Sequence, residues 1–398
     1  MTGLRFAIIA DDLTGAADSG VQLVRSGYRA AVFFRGAPVD EAGLDAVALD
    51  TDSRSLSPEA ARNRVYEAGT VVRSAELAYK KVDSTLRGNL REEIEAAMRA
   101  TGRERVVVSP AFPAGGRTTV GGNQLLHGQP VHHTELAADP RTPVLEAHIP
   151  ALLSGLGAIE TLSVEELEPH RVRRALEDSR YVVADATEDG HLRALARSVP
   201  DPSAVLWVGS AGLARALAEL YPGDREPAAL PTLARNVLVV VGSLSRVSRE
   251  QAAALVEERG MPEIELRESA AGEPEVEAAI RAAGPALARG ESVVVRSSAQ
   301  SGRAGSEEVA EGLAGVVAGL EPGAFGALVL TGGDTAVAVA RRFEAAGIEL
   351  LGEVEAGVPV GRLRGPRPYP VVTKAGGFGG RGTLNDAVRT LTGDSEER

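Results

Sequence analysis

The chain has 398 residues, of which 44% are hydrophobic and 25% charged, with a formal net charge of −12 and no cysteine. The length predicts two domains, the composition is that of a soluble globular protein, and the acidic balance argues against nucleic acid as a partner while leaving room for a local anion pocket. The missing cysteines exclude disulfides, thiolate catalysis and thiolate metal sites, and no apolar run reaches membrane length, so no membrane association and a cytoplasmic location are expected.

In chain order, residues 5–10 read as a buried strand, followed by Asp11-Asp12-Leu-Thr-Gly15 and a helical pattern to about Ser26. Strands are expected at 30–34 and 46–50. Ser57-Pro58-Glu59 opens a helix to about Ser74, with proline at the first helical position. Glu76 to Val82 reads as a strand, and Asn89 with Glu92 has the spacing of a capping box for the helix that follows. A strand at 105–109 completes a βα alternation. Residues 110–147 show no period and read as a long functional loop. Beyond it come a helix near 164–178, a strand at 181–184, a helix after Thr187, and a strand at 204–208 with another helix after Gly212. Residues 226–234 have linker composition. Further strands are expected at 236–241, 262–266, 292–296, 326–330 and 369–373. The fold class is therefore α/β, with an N-terminal domain over 1–225 and a C-terminal domain over 235–398, each a mostly parallel sheet flanked by helices.

The densest polar stretch is Lys80-Lys81-Val-Asp83-Ser84-Thr85-Leu86-Arg87-Gly88-Asn89, between a strand and a helix. Open α/β sheets bind ligands at such strand ends, and helix N-termini favour anions. Only three of the 43 basic residues are lysine, Lys80, Lys81 and Lys374, and all fall in glycine-flanked polar stretches. A compact ammonium is not interchangeable with a guanidinium where it must touch an anion. Neighbouring strand residues face opposite ways, so Lys81 shares a face with Asp83 and Lys80 does not. Asp11-Asp12 exceeds what a helix cap needs and offers a hydroxyl anchor, a base, or a site for Mg²⁺ bound through water. Arg87 offers a bidentate fork for a carboxylate, Gly88 allows close backbone approach, and Arg117 is a candidate lid contact for an anion. His127, His132 and His133 lack the spacing of a metal set.

Three strand ends of the second half carry small residues and hydroxyls: Ser243 and Ser245; Gly332, Gly333, Asp334 and Thr335; Lys374, Gly376 and Gly377. Exposed backbone N–H groups, no bulk and a cation are what a phosphate cradle requires. There is no Walker A loop and no serine-hydrolase elbow.

Together Ala10-Asp-Asp-Leu-Thr-Gly-Ala-Ala-Asp18, Lys81-Val-Asp-Ser-Thr-Leu-Arg-Gly-Asn89, Pro110-Ala-Phe-Pro-Ala-Gly-Gly-Arg-Thr118, Val241-Gly-Ser-Leu-Ser245, Gly332-Gly-Asp-Thr335 and Lys374-Ala-Gly-Gly-Phe-Gly379 resemble the four-carbon acid sugar kinase family. The Gly128…Thr134…Asp139-Pro140…Pro143 run matches as well. The matches run in order along almost the whole chain. Two details depart from the family pattern: Gly88-Asn-Leu-Arg91 stands for Gly-Asn-Ile-Gly, and Gly333-Asp-Thr335 for Gly-Glu-Thr. The resemblance implies a sugar-acid site in the N-terminal domain, an ATP site in the C-terminal domain, and reaction in the cleft between them. The expected function is ATP-dependent phosphorylation of a hydroxyl on a short sugar acid such as 3-oxo-tetronate, threonate or erythronate, with Mg²⁺ bridging the phosphates. Asp12 or Asp83 would serve as base. Asp11, Asp12, Lys81, Asp83, Ser84, Arg87, Gly88 and Arg117 would hold the acid. A homodimer is plausible because such enzymes are often symmetric oligomers. Two other classes remain open on the residues alone: a non-catalytic sensor of sugar acid or nucleotide, and a Schiff-base isomerase or aldolase using Lys80 or Lys81.

Overall fold

The computed structural model describes residues 3–139, 141–226, 230, 234–269, 273–298 and 306–393. Most of the expected linker, residues 227–229 and 231–233, lies outside them. The chain divides into two compact units, residues 1–36 with 40–227 and residues 37–39 with 228–398. No helix among the described residues is long and apolar enough to cross a membrane.

The first unit begins with β1 (Phe6–Ala10), α1 (Leu13–Arg25), β2 (Ala30–Phe33), β3 (Ala46–Asp50), α2 (Pro58–Val71), β4 (Leu77–Lys81), α3 (Leu90–Thr101) and β5 (Arg105–Ser109). After β6 (Arg117–Val120), β7 (Asn123–Leu126) and β8 (Gln129–Pro130) come α4 (Ile149–Leu152), β9 (Ile159–Leu162), α5 (Pro169–Asp178), β10 (Tyr181–Ala184), α6 (Asp189–Ser198), β11 (Val205–Gly209) and α7 (Ala211–Leu220). The main sheet is parallel in the order β2-β3-β1-β4-β11-β5-β10-β9. Its central strands are buried along their whole length, as helices on both faces require. Even β4, Leu-Ala-Tyr-Lys-Lys, is buried at every residue. From β1 the chain leaves towards β2, and from β4 it leaves the other way, towards β5. The crevice at the carboxyl ends of β1 and β4 is therefore a topological switch point, where open α/β sheets bind ligands.

The second unit runs β12 (Val237–Val241), α8 (Arg246–Arg259), β13 (Glu263–Leu266), α9 (Val276–Ala288), β14 (Val293–Ser297), α10 (Ser306–Gly319), β15 (Ala327–Thr331), α11 (Gly333–Arg342), β16 (Gly347–Glu355), β17 (Val358–Arg364), β18 (Pro370–Lys374) and α12 (Thr383–Thr392). Its strand order is β13-β14-β12-β15-β18-β17-β16, parallel except for β17, which runs antiparallel to both neighbours. Valines of β12, β15 and β18 pack on Leu255, Leu384, Val388 and Leu391 in its core. The chain leaves β12 towards β13 and β15 towards β16, so the carboxyl ends of β12 and β15 form a second switch point.

Four expectations are corrected. Residues 110–147 are not structureless: β6, β7 and β8 form an antiparallel sheet of their own. The long β16–β17 hairpin, joined through Ala356 and Gly357, was not expected; Gly357 takes φ +79° in its tight turn. Asn89 does not complete a capping box, because its side-chain amide donates instead to the carbonyls of Ser53 and Leu56. The expected helix at 164–178 begins at Pro169, after a short 3₁₀ turn over Val164–Glu166.

Asn236, which precedes β12, is buried. Its Nδ2 donates to Ala324 O at 2.9 Å and Glu291 O at 3.3 Å, tying two connections to the sheet. Asn236→Ala leaves those carbonyls without this donor and is expected to lower stability by about 1–3 kcal/mol, read as a shifted urea midpoint.

Candidate active site

At the first switch point the carboxylates of Asp11, Asp12 and Asp83 converge on two arginines. Asp12 caps α1, its Oδ1 accepting the Gly15 N–H at 2.9 Å. The same oxygen accepts from Arg54 Nη2 at 2.6 Å. Arg54 also grips Asp11 in two places, Nε to Oδ2 at 2.7 Å and Nη2 to Oδ1 at 3.1 Å, and lies 3.9 Å from Asp83 Oδ1. Asp83 is gripped in turn by Arg87, Nε to Oδ2 at 2.9 Å and Nη2 to Oδ1 at 3.2 Å, and accepts the Thr85 hydroxyl. Arg87 Nη1 reaches Asp139 at 3.6 Å. Both oxygens of Asp11 and of Asp83 are engaged, whereas Asp12 keeps Oδ2 free of hydrogen bonds among the described residues.

These contacts order the charges. Burial would raise the Asp11 and Asp83 carboxyls, but the guanidinium of Arg54, joined at Asp83 by that of Arg87, outweighs it and holds both below the usual carboxylate range. Arg54 is raised well above its ordinary value, the three aspartates overcoming its burial. Arg54 was not singled out in the sequence; its signal is the polar run Asp50-Thr-Asp-Ser-Arg54 behind a strand that proves to neighbour β1.

Lys81 stands apart. It ends β4 level with Ala10 of β1, is only 5% exposed, and its ammonium makes no hydrogen bond or ion pair with a described residue. Its ammonium lies against Gly15, where a Cβ would come 2.7 Å from Nζ and 2.6 Å from Asp12 Oδ1. Gly15 therefore makes room for the lysine beside the Asp12 carboxylate. Lys80 points the other way, fully buried, 2.8 Å from Glu93. Ser84 is half-buried in the turn after Asp83, and its carbonyl accepts from Gln124 of β7 at 2.6 Å, which pins the small sheet beside this turn. Leu86 in the same turn holds φ +64° while its side chain is buried. Arg117 is not brought to the carboxylates by any bond among the described residues; it donates to Gly115 O in its own turn. The rings of His132 and His133 meet edge to face, centroids 4.1 Å apart. No group of three or more His, Asp or Glu among the described residues is arranged to hold a metal.

At the second switch point the three glycine-rich loops meet. Gly332 N donates to Lys374 O at 2.9 Å. Ser245 caps α8, and its Oγ and that of Ser248 donate to Gly376 O at 2.6 and 2.8 Å. A Cβ on Gly376 would overlap Ser243 Oγ, and one on Gly242 would overlap Thr335 Oγ1. Gly333 and Gly377, by contrast, face open space. Lys374 does not present its ammonium outward as expected for a phosphate contact. Nζ donates to the carbonyls of Ala375 at 2.7 Å, Phe378 at 3.0 Å and Gly376 at 3.2 Å, and burial pushes its pKa down to about 8. Gln251 adds donations to the carbonyls of Phe378 and Gly380. In a trans peptide the C=O of one residue and the N–H of the next point in opposite directions. Lys374 and Gln251 thus turn carbonyls inward and the N–H groups of Gly376, Gly377 and Gly379 away from them, which is how a backbone anion nest is made.

Asp50 ends β3 level with Ala10. Burial pushes its carboxyl up to about 8, with Asp12, Asp52 and Asp11 adding repulsion and the Asp52 N–H opposing. A carboxyl raised on folding stabilises the native state in its protonated form, fully so below its unfolded value of about 4. That contribution is lost as pH rises towards about 8. Asp50→Asn, which cannot ionise, should therefore gain stability relative to the parent between about pH 4 and pH 9 in urea titrations. A difference that stays flat with pH would mean the acid is not held neutral.

Residues 6–217 match the model of a sugar-binding N-terminal domain, and residues 238–384 that of a nucleotide-binding C-terminal domain. The chain is 38% identical to a D-threonate kinase of Bordetella bronchiseptica, over 98% of each chain. It is 33% identical to a D-erythronate kinase of Heliobacterium modesticaldum, over 93% of each. The crystal structure of a Salmonella typhimurium LT2 protein described as a putative tRNA synthase superposes with a TM-score of 0.80 over 97% of this chain and 99% of that one; at 23% identity it bears on the fold alone. With both domain models matched in order along nearly the whole chain and full-length kinases of short sugar acids among its relatives, the chain belongs to the four-carbon acid sugar kinase family.

Proposed function

We propose that this protein is an ATP-dependent kinase that phosphorylates a hydroxyl of a four-carbon hydroxy acid such as threonate or erythronate. The observation that carries the reading is Lys81, a buried ammonium that no described residue meets with a hydrogen bond or ion pair, beside a carboxylate with one oxygen free of hydrogen bonds among the described residues. A buried cation is costly unless something anionic meets it, and the acid's carboxylate supplies that. Arg54 and Arg87 are already occupied by aspartates, so Lys81 rather than Arg87 is the primary anchor. Ser84, Arg87 and the backbone near Gly88 line the same turn and contact the acid's hydroxyls.

Asp12 is the base. Its Oδ2 is free to take the hydroxyl proton, whereas Asp83, held low by two guanidinium groups, is a weak base that positions Arg87. The nest at Gly376, Gly377 and Gly379, with the open turn at Gly332 and Gly333 beside it, holds the nucleotide phosphates, with the hydroxyls of Ser243, Ser245 and Thr335 around it. Mg²⁺ is bound in such enzymes largely by phosphates with one or two carboxylates. Asp334, in the first turn of α11, is the carboxylate these three loops supply. The ion neutralises phosphate charge when bound. Arg117 has no assigned role on this geometry. A cytoplasmic location and a homodimer fit the reading.

ADP release with Mg·ATP across threonates, erythronates and their 3-oxo forms tests the proposal, and turnover on none of them would refute it. On the acid that is turned over, Asp12→Asn should keep the helix cap, since asparagine caps as well as aspartate, yet lose roughly 10²- to 10⁴-fold in kcat. Lys81→Met should raise the KM of the acid while leaving that of ATP in place. Gly376→Ala should do the reverse, because its methyl group displaces Ser243 from the nest.

A further inference from the structure

The Lys80–Glu93 pair lies beneath the site and is not part of the carboxylate cluster. Lys80 is fully buried in β4, Glu93 is 2% exposed in α3, and Nζ stands 2.8 Å from Oε2. A buried ion pair is poorly explained by stability alone, because well-packed apolar residues of the same volume are often as stable or more so. Its contacts indicate another use. Glu93 Oε1 accepts the Ser53 hydroxyl at 2.7 Å, and Ser53 Oγ lies 2.8 Å from Thr51 Oγ1. The backbone N–H groups of Ser53 and Arg54 donate to Asp11 O at 2.9 and 3.2 Å. Asn89, one turn before Glu93, donates to Leu56 O at 3.0 Å and Ser53 O at 3.4 Å. Residues 51–56 are thus clamped between the end of β1 and the first turn of α3. The side chain this segment delivers to the carboxylates is Arg54.

We infer that the Lys80–Glu93 pair, with Asn89, is a positioning device for Arg54: it fixes Ser53, and through it the backbone from which the Arg54 guanidinium reaches Asp11 and Asp12. A group that bonds two carboxylates at once must be placed within tenths of an ångström, which requires a locked support. If the segment slips, Asp12 Oδ1 loses Arg54 and keeps only the Gly15 N–H, and its other oxygen is no longer aimed. Lysine suits the task. Its ammonium also donates to Lys81 O at 2.7 Å, so one small cation ties Glu93 to the strand end that carries Lys81. A planar guanidinium is larger and has fixed donor directions.

The inference rests on the proposed reading of this site as the acid site, and two measurements separate the two. The first is kinetic. Lys80→Met and Glu93→Leu singly should lower the melting temperature, and the double variant should recover most of it. The recovered protein should still show a KM for the acid raised roughly tenfold, the size of one lost hydrogen bond to a charged group, with the KM of ATP unchanged. Ser53→Ala, which cuts the link without burying a lone charge, should show the same split and covers the case in which the double variant fails to fold. Parent kinetics in Ser53→Ala would overturn the inference. The second measurement needs no substrate: a crystal structure of Ser53→Ala should show the Arg54 guanidinium displaced from Asp11. If it stays in place, the positioning role is refuted whether or not the parent phosphorylates any acid.

Discussion

Three aspartates cannot be gathered at the ends of two neighbouring strands unless their charge is answered, and the two-point grip of Arg54 on Asp11 is the answer on which the first site rests. Without it the carboxylates would repel and take up protons; with it they stay ionised although buried. The grip also has a chemical result. It consumes both oxygens of Asp11 and one of Asp12, and Arg87 consumes those of Asp83, so among the described residues a cluster of three acids is reduced to one available oxygen beside an ammonium that makes no hydrogen bond or ion pair. Selectivity of role among identical side chains comes from which bonds are already made.

The second site follows a related logic with backbone in place of side chains. Lys374 and Gln251 spend their donors on carbonyls, and by peptide geometry that turns N–H groups outward. A lysine in a glycine-rich loop is readily taken as a phosphate ligand. Here its contribution is indirect, through the direction of the loop's dipoles, and its lowered pKa reflects burial, which outweighs the opposing charge of Glu355.

Most of the parallel strands were legible because they are local: runs such as Phe6–Ala10 and Val237–Val241 are apolar throughout, and Ser57 caps the helix that Pro58 and Glu59 announce. That the polar and glycine-rich stretches follow strands was legible for the same reason. What escaped depends on which strands become neighbours. Arg54 matters only because β3 lies against β1, and the amide of Asn89 leaves its own helix only because Leu56 and Ser53 come within reach. The small sheet of β6, β7 and β8 escaped because its strands are short and partly exposed, so no alternation accumulates; Gln124, fully buried within it, holds it to Ser84. Lys374 escaped differently: its position was read correctly and its partner was not, since an ammonium serves an anion or a ring of carbonyls equally well.

Leu86 carries a consequence for how this chain can change over time. Its backbone lies in the left-handed region, which costs a residue with a Cβ about 1–2 kcal/mol, while its buried side chain gives back a transfer gain of about 1.5–3 kcal/mol. Glycine would relieve the first and forfeit the second; asparagine would tolerate the turn and put an amide where apolar contact is needed. A β-branched residue would keep apolar contact and add strain. The position is therefore narrowed to unbranched apolar side chains, so the turn between Asp83 and Arg87 is constrained in sequence space by backbone geometry and packing together.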